Sequence, residues 1–130
     1  MLLSKEAILS VDDRQFEDVE VPEWGGSVRV RGMSGRERDA YEASIIDQRG
    51  GERKVVLANA RAKLIAKCVI DENGTLMFTQ DDLRALGGKS AKALERLFDK
   101  ARELSGMSEG DVERLAENFE DDPSEGATSE

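Results

Sequence analysis

A proline with two glycines close behind it constrains this chain more than any other feature: Val21-Pro22-Glu23-Trp24-Gly25-Gly26, followed by Ser27-Val28-Arg29-Val30-Arg31. Pro22 has no N–H to give to a ladder, so a strand carrying it belongs at a sheet edge. Gly25 and Gly26 accept positive φ without steric cost and permit a tight reversal between two short extended runs. The block predicts a β-hairpin over 17–31, with Trp24 beside its turn. Trp24 reads first as a lid on the core and second as a binding anchor.

Helical signals dominate the rest. Ser4 caps a short turn over 4–9, and 12–17 reads as a polar connection. Ser34 and Glu37 have capping-box spacing and predict a helix over 34–49, with Tyr41, Ile45 and Gln48 on one side and Gly50-Gly51 as its stop. A second helix over 52–68 carries Val55, Ala58, Ala62, Ile65 and Val69 as one stripe, widened by Val56, Leu57, Leu64 and Ala66. A helix this apolar belongs at the centre of the fold. Asn73-Gly74 between apolar runs predicts a brief hairpin within 69–78. Thr79 and Asp82 cap a short helix to Leu86, and Gly87-Gly88 closes it. From Ser90 a helix presents Leu94, Leu97, Phe98, Ala101 and Leu104 at helical spacing, and Gly106 stops it. Ser108 and Asp111 open a last helix with Val112, Leu115, Ala116 and Phe119.

The expected fold is therefore α+β and mainly α-helical, with a small N-terminal β-hairpin packed on a bundle of about five helices. One domain is expected over 1–119, followed by a disordered acidic tail over 120–130 that holds a single small apolar residue, Ala127. At 130 residues and 38% hydrophobic content the chain can bury a core, and 5% aromatics make that core mostly aliphatic. The net charge of −9 disfavours nucleic acid or an anionic membrane as partner, because phosphates are repelled. No span approaches the ~20 apolar residues of a membrane helix, and the first residues lack a basic region leading into an apolar run. A cytoplasmic protein is expected. The single Cys68 excludes an internal disulfide and sits in an apolar stretch, where it reads as a small buried hydrophobe.

Chemical motifs fail one after another. The chain has no histidine, so neither a Ser-His-Asp nor a Cys-His arrangement can form within it. Gly88-Lys89-Ser90 resembles the end of a phosphate-binding loop, but the glycine required five positions before Gly88 is Leu83, and Ser90 reads better as a cap. Asp71-Glu72-Asn73-Gly74 would put Val69 where a calcium loop needs a carboxylate. The paired acids Asp12-Asp13, Asp81-Asp82 and Asp121-Asp122 read as solvated charge or caps. Arg29 and Arg31, alternating with Val28 and Val30, read as a half-exposed strand face with a partner contact as the alternative. No catalytic, cofactor-binding or metal-binding residue is proposed, and no enzyme is expected.

Two blocks of the sequence resemble the tail assembly chaperones of long non-contractile-tailed (siphovirus-type) bacteriophages. The first runs from Val21-Pro22-Glu23-Trp24-Gly25-Gly26 through Met33-Ser34-Gly35-Arg36-Glu37-Arg38-Asp39. The second takes in Ile70-Asp71-Glu72-Asn73-Gly74, Phe78, Asp82, Leu86, Gly87, Ser90, Leu94, Leu97, Phe98, Leu104-Ser105-Gly106 and Glu117-Asn118-Phe119. The resemblance implies a non-enzymatic protein of the host cytoplasm that binds the tape measure protein and keeps it soluble while major tail protein polymerises. It also brings in major tail protein, a frameshifted longer form of the chain and a homo-oligomer as further candidate partners, with neither nucleic acid nor membrane. The runner-up is a structural head–tail connector or tail-completion protein of the virion. Trp24, Leu94, Leu97, Phe98, Leu104, Leu115 and Phe119 are the candidate partner-binding residues, and the alternative for the six on the last two helices is that they are simply core.

Overall fold

A computed structural model describes residues 1–47, 54–55 and 59–108. The hairpin is where the sequence places it. Strand β1 (Phe16–Val21) runs antiparallel to β2 (Gly26–Arg31), in register from Phe16↔Arg31 to Val21↔Gly26. Between them Pro22–Trp24 form one 3-10 turn, closed by the Gly25 N–H on the Pro22 carbonyl at 3.1 Å. Only Gly25 uses positive φ, at 76°, and Gly26 already belongs to β2. Pro22 sits just past β1, and β1 is indeed an edge, because β2 lies between it and the third strand of the sheet, Val69–Ile70.

Two corrections concern the middle of the chain. The helix expected over 34–49 is α2 (Gly35–Ser44) and stops at Ser44. The helix expected over 52–68 begins only at Ala60, as α3 (Ala60–Cys68). Between them β3 (Ile46–Asp47) pairs with β4 (Lys54–Val55), Ile46 facing Val55. Ile46 and Val55 are β-branched, stiff at χ1 and comfortable on a pleated ribbon, and Val55, which fits the helical stripe, is equally a strand former. Gln48, Gly50-Gly51, Val56, Leu57 and Ala58 lie outside the described residues.

The capping box at α2 is intact. Ser34 Oγ accepts from the Glu37 N–H at 3.1 Å, and Glu37 Oε1 accepts from the Ser34 N–H at 2.8 Å. Helix α3 is the central one, burying Ala60, Ala62, Leu64, Ile65, Ala66 and Cys68. It passes straight into β5 (Val69–Ile70), which joins the hairpin through Val30↔Val69 and Arg29↔Ile70. The third strand is an addition to the expected hairpin. Its two residues carry no strand period of their own, and pairing with β2 makes them a strand. The Asn73-Gly74 turn follows, with Gly74 at φ 83° and Asp71 Oδ1 accepting from the Asn73 and Thr75 N–H groups at 2.8 and 3.0 Å.

Asp82 Oδ2 accepts from the Thr79 N–H at 2.8 Å and opens a 3-10 turn (Gln80–Asp82) that leads into α4 (Leu83–Gly87). Ser90 Oγ then accepts from the Ala93 N–H at 3.2 Å and caps α5 (Ala91–Leu104). That helix ends in a Schellman motif: Gly106 at φ 74°, its N–H on the Glu103 carbonyl, and the Met107 N–H on the Arg102 carbonyl. Tyr41, Ile45, Leu64, Ile65, Leu97, Val21, Val30, Val69 and Cys68 form the fully buried centre. Helices α2, α4 and α5 each pack on α3, and the hairpin rests on α5. The architecture is α+β and mainly helical. One helix stands apart: α1 (Lys5–Ser10), capped by Ser4, buries no residue. The expected last helix from Ser108, with Leu115 and Phe119, and the acidic tail over 120–130 lie outside the described residues.

Candidate interaction surface

Each residue that could suggest chemistry has a structural task. Cys68 is fully buried, and burial pushes its thiol from the usual 9.0 up to about 12, against the opposing effect of the Ser105 hydroxyl. It is not a nucleophile at neutral pH. Among the described residues no group of three or more Cys, Asp or Glu side chains is placed to hold a metal ion, and no helix is long and apolar enough to cross a membrane. Lys89 stands between Gly88, which closes α4, and Ser90, which caps α5. Arg29 pairs with Asp18 across the hairpin at 2.7 Å and lies over the Phe16 ring, 4.6 Å from its centroid. Arg31 Nη1 donates to the Gly74 carbonyl at 3.1 Å, tying the hairpin to the Asn73-Gly74 turn.

Glu23 does the same for the other end of the hairpin. Its two carboxylate oxygens accept from Arg96 of α5 at 2.7 and 3.2 Å. The Arg96 hydrogen bonds hold the Glu23 carboxyl down at about 2, below its usual 4.5. A depressed carboxyl contributes stability above its unfolded value and loses it as pH falls toward the folded one. The contribution of this surface pair is therefore expected to be complete above about pH 4.5 and gone near pH 2. Urea unfolding midpoints of the native chain and Glu23→Gln should differ slightly at pH 7 and converge by pH 2. A gap that stays constant with pH would mean the pair is not formed.

Five of the sequence-predicted partner residues are described, and Leu115 and Phe119 lie outside the described residues. Leu94, Leu97 and Phe98 are buried under α3 and the sheet, with Leu97 at 1% exposure. Trp24 and Leu104 are half-buried and pack against that same core. What the surface does offer are two features absent from the sequence reading. One is apolar: Leu2, Leu3, Ile8, Leu9, Val11 and Phe16 are all exposed on and around α1, and Leu76 and Met77 are exposed beside the Asn73-Gly74 turn. The other is a groove between α3, α4 and the start of α5. Its larger part, about 920 Å³, is lined by Arg61, Lys63, Arg84 and Lys89 around Leu83 and Leu94. An adjoining part of about 360 Å³ shares Lys63 and Leu83 and adds Lys67, Leu76 and Phe78.

The phage tail assembly chaperone family matches residues 4–122. The chain belongs to that family. The match takes in both blocks on which the sequence resemblance rests. A solved structure of similar fold is the tail assembly chaperone of bacteriophage HK97, with a TM-score of 0.56 and 20% identity over 81% of this chain and 94% of that one. At that identity the likeness is one of fold. No curated protein matches the chain. In this tail assembly chaperone the hairpin is tied to α5 through Glu23 and Arg96, and the exposed apolar residues and the basic groove lie on the surface of that frame.

Proposed function

We propose that this chain binds the tape measure protein of its phage in the host cytoplasm and keeps it soluble while major tail protein polymerises, without catalysing a reaction. Family membership supports the role. The observation that carries the binding mode is the N-terminal segment, where α1 buries nothing and Leu3, Ile8, Leu9 and Phe16 are open to water. Exposed apolar side chains on a short helix are what an amphipathic partner helix can cover. Trp24 and Leu104, half-exposed on the scaffold, are secondary contacts in this reading, and Leu94, Leu97 and Phe98 act as core that supports them.

Co-expression tests it. The soluble fraction of the tape measure protein should rise severalfold when this chain is present. Leu3→Asp with Ile8→Asp should abolish the rise without lowering the thermal midpoint, because neither side chain is part of the core. An unchanged soluble fraction with the native chain would overturn the function. An active double variant would overturn the surface.

A further inference from the structure

The charge of this protein is divided unevenly along the chain. Residues 109–130 contain nine of the 28 acidic residues and one basic residue, Arg114, and so carry −8 of the net −9. Residues 1–108, which hold every described element, carry only −1. Against that nearly neutral domain the groove between α3, α4 and α5 is a local positive field. Arg61, Lys63, Lys67, Arg84 and Lys89 line its two parts, and Glu95 is the only acid among the described lining residues. Glu95 is already engaged by Arg61 at 2.7 Å. Lys63 Nζ donates to the Ser44 carbonyl at 2.6 Å, whereas Lys67, Arg84 and Lys89 have no acidic partner among the described residues. Between these cations the groove is apolar, with Leu83, Leu94, Phe78 and the exposed Leu76.

We infer that this groove is the docking site of the chain's own residues 109–130. The segment has the matching pattern. Val112, Leu115, Ala116 and Phe119 recur at the i, i+3, i+4, i+7 spacing of a helix that seats one face in a groove. Asp111, Glu113, Glu117, Glu120, Asp121 and Asp122 surround that stripe with carboxylates. Reach is sufficient. The 14-residue α5 spans about 21 Å from the groove to the point where the chain leaves it, and 22 residues cover about 33 Å as a helix or up to ~73 Å extended. The segment can therefore turn back beside α5 and lay its acidic face between Lys67 and Lys89. Opposite charge on a partner so close in sequence gives it a high effective concentration at the groove, ahead of any separate acidic ligand. The inference stands apart from the tape measure reading, which rests on the N-terminal apolar residues.

A nitroxide placed on Ser124→Cys in the full chain tests it. Native Cys68 does not compete for the label, because it is fully buried and its thiol is pushed up to about 12. The expected result is loss of the Arg61, Lys67, Arg84 and Lys89 amide resonances. Those signals should return in 1 M salt, where the Debye length falls to about 3 Å. They should also return in the Lys67→Glu, Arg84→Glu, Lys89→Glu triple variant, which changes only exposed or half-exposed side chains without described acidic partners. Loss spread evenly over the domain, or centred away from the groove, would overturn the inference. So would loss that persists in the triple variant. A mixture of spin-labelled and isotope-labelled chains should show no groove effect; if it does, the segment docks on a second copy and the assignment within one chain is wrong.

Discussion

Leu97→Ala is expected to lower folding stability by about 3 kcal/mol, within the ~2–5 kcal/mol range for deleting a buried leucine. Leu97 lies in the middle of α5 at 1% exposure, among the largest fully buried side chains of the protein. Its helix, α5, packs on both the central helix α3 and the hairpin. Removing three carbons there loses their transfer free energy and leaves a cavity that three elements would have to collapse to fill. For a domain of this size a loss of about 3 kcal/mol corresponds to a fall of roughly 12 °C or more in the thermal midpoint. Urea unfolding at constant m should report it. A loss under about 1 kcal/mol would show that the site collapses freely, which does not fit a leucine held on three sides.

Gly32→Ala is expected to be as damaging, for the opposite reason. A Cβ at this position would run into the backbone carbonyl of Leu104 at the end of α5. The flexible end of a side chain could swing away, but a helix carbonyl cannot. Both neighbours are tied down. The Gly32 N–H is bonded to the Gln15 carbonyl at 2.9 Å, and the Met33 N–H to Ser105 Oγ at 3.0 Å. Overpacking of well-ordered sites costs about 1–3 kcal/mol, and this one belongs at the upper end because strand and helix would have to separate. Gly26→Ala is the matching control, since a Cβ there meets nothing within 4 Å and the backbone has no positive φ. Equal effects of the two alanines on the unfolding midpoint would mean that β2 and α5 are not in contact at Gly32.

Those two positions also show what kind of information a sequence holds. Leu97 is legible: its spacing with Leu94, Phe98, Ala101 and Leu104 marks a helix face, and that face is buried except at Leu104, which is half-buried. Gly32 is not legible, because nothing local demands a glycine there. The demand comes from a helix end some seventy residues away in the chain. The same division runs through the fold. Caps at Ser4, Ser34, Thr79 and Ser90 and stops at Gly88 and Gly106 were readable because each is a bond between near neighbours. The ribbon of β3 and β4 was not, because a two-residue ladder leaves no period, and Val55 also fits a helical stripe.

Exposure and surface charge were the least legible part. Leu94, Leu97 and Phe98 stand out as apolar residues on a strong stripe, and the structure buries all three. The exposed Leu2, Leu3, Ile8, Leu9 and Val11 look like an ordinary short apolar start until the structure shows them open to water beside the described elements. The basic groove escaped because the net charge of −9 describes the whole chain, and its cations come from three separate segments.

By itself the sequence determined the hairpin, the positions of most caps and stops, a core-forming central helix and the family resemblance, because these depend on backbone stereochemistry and on spacing within a few residues. Tertiary structure alone decided which stripe residues are sealed in and which stay open. It also decided that Val69 and Ile70 become a strand, and that five cations scattered between Arg61 and Lys89 form one groove. Burial and electrostatic fields depend on distances in space, and those distances exist only once the chain has folded.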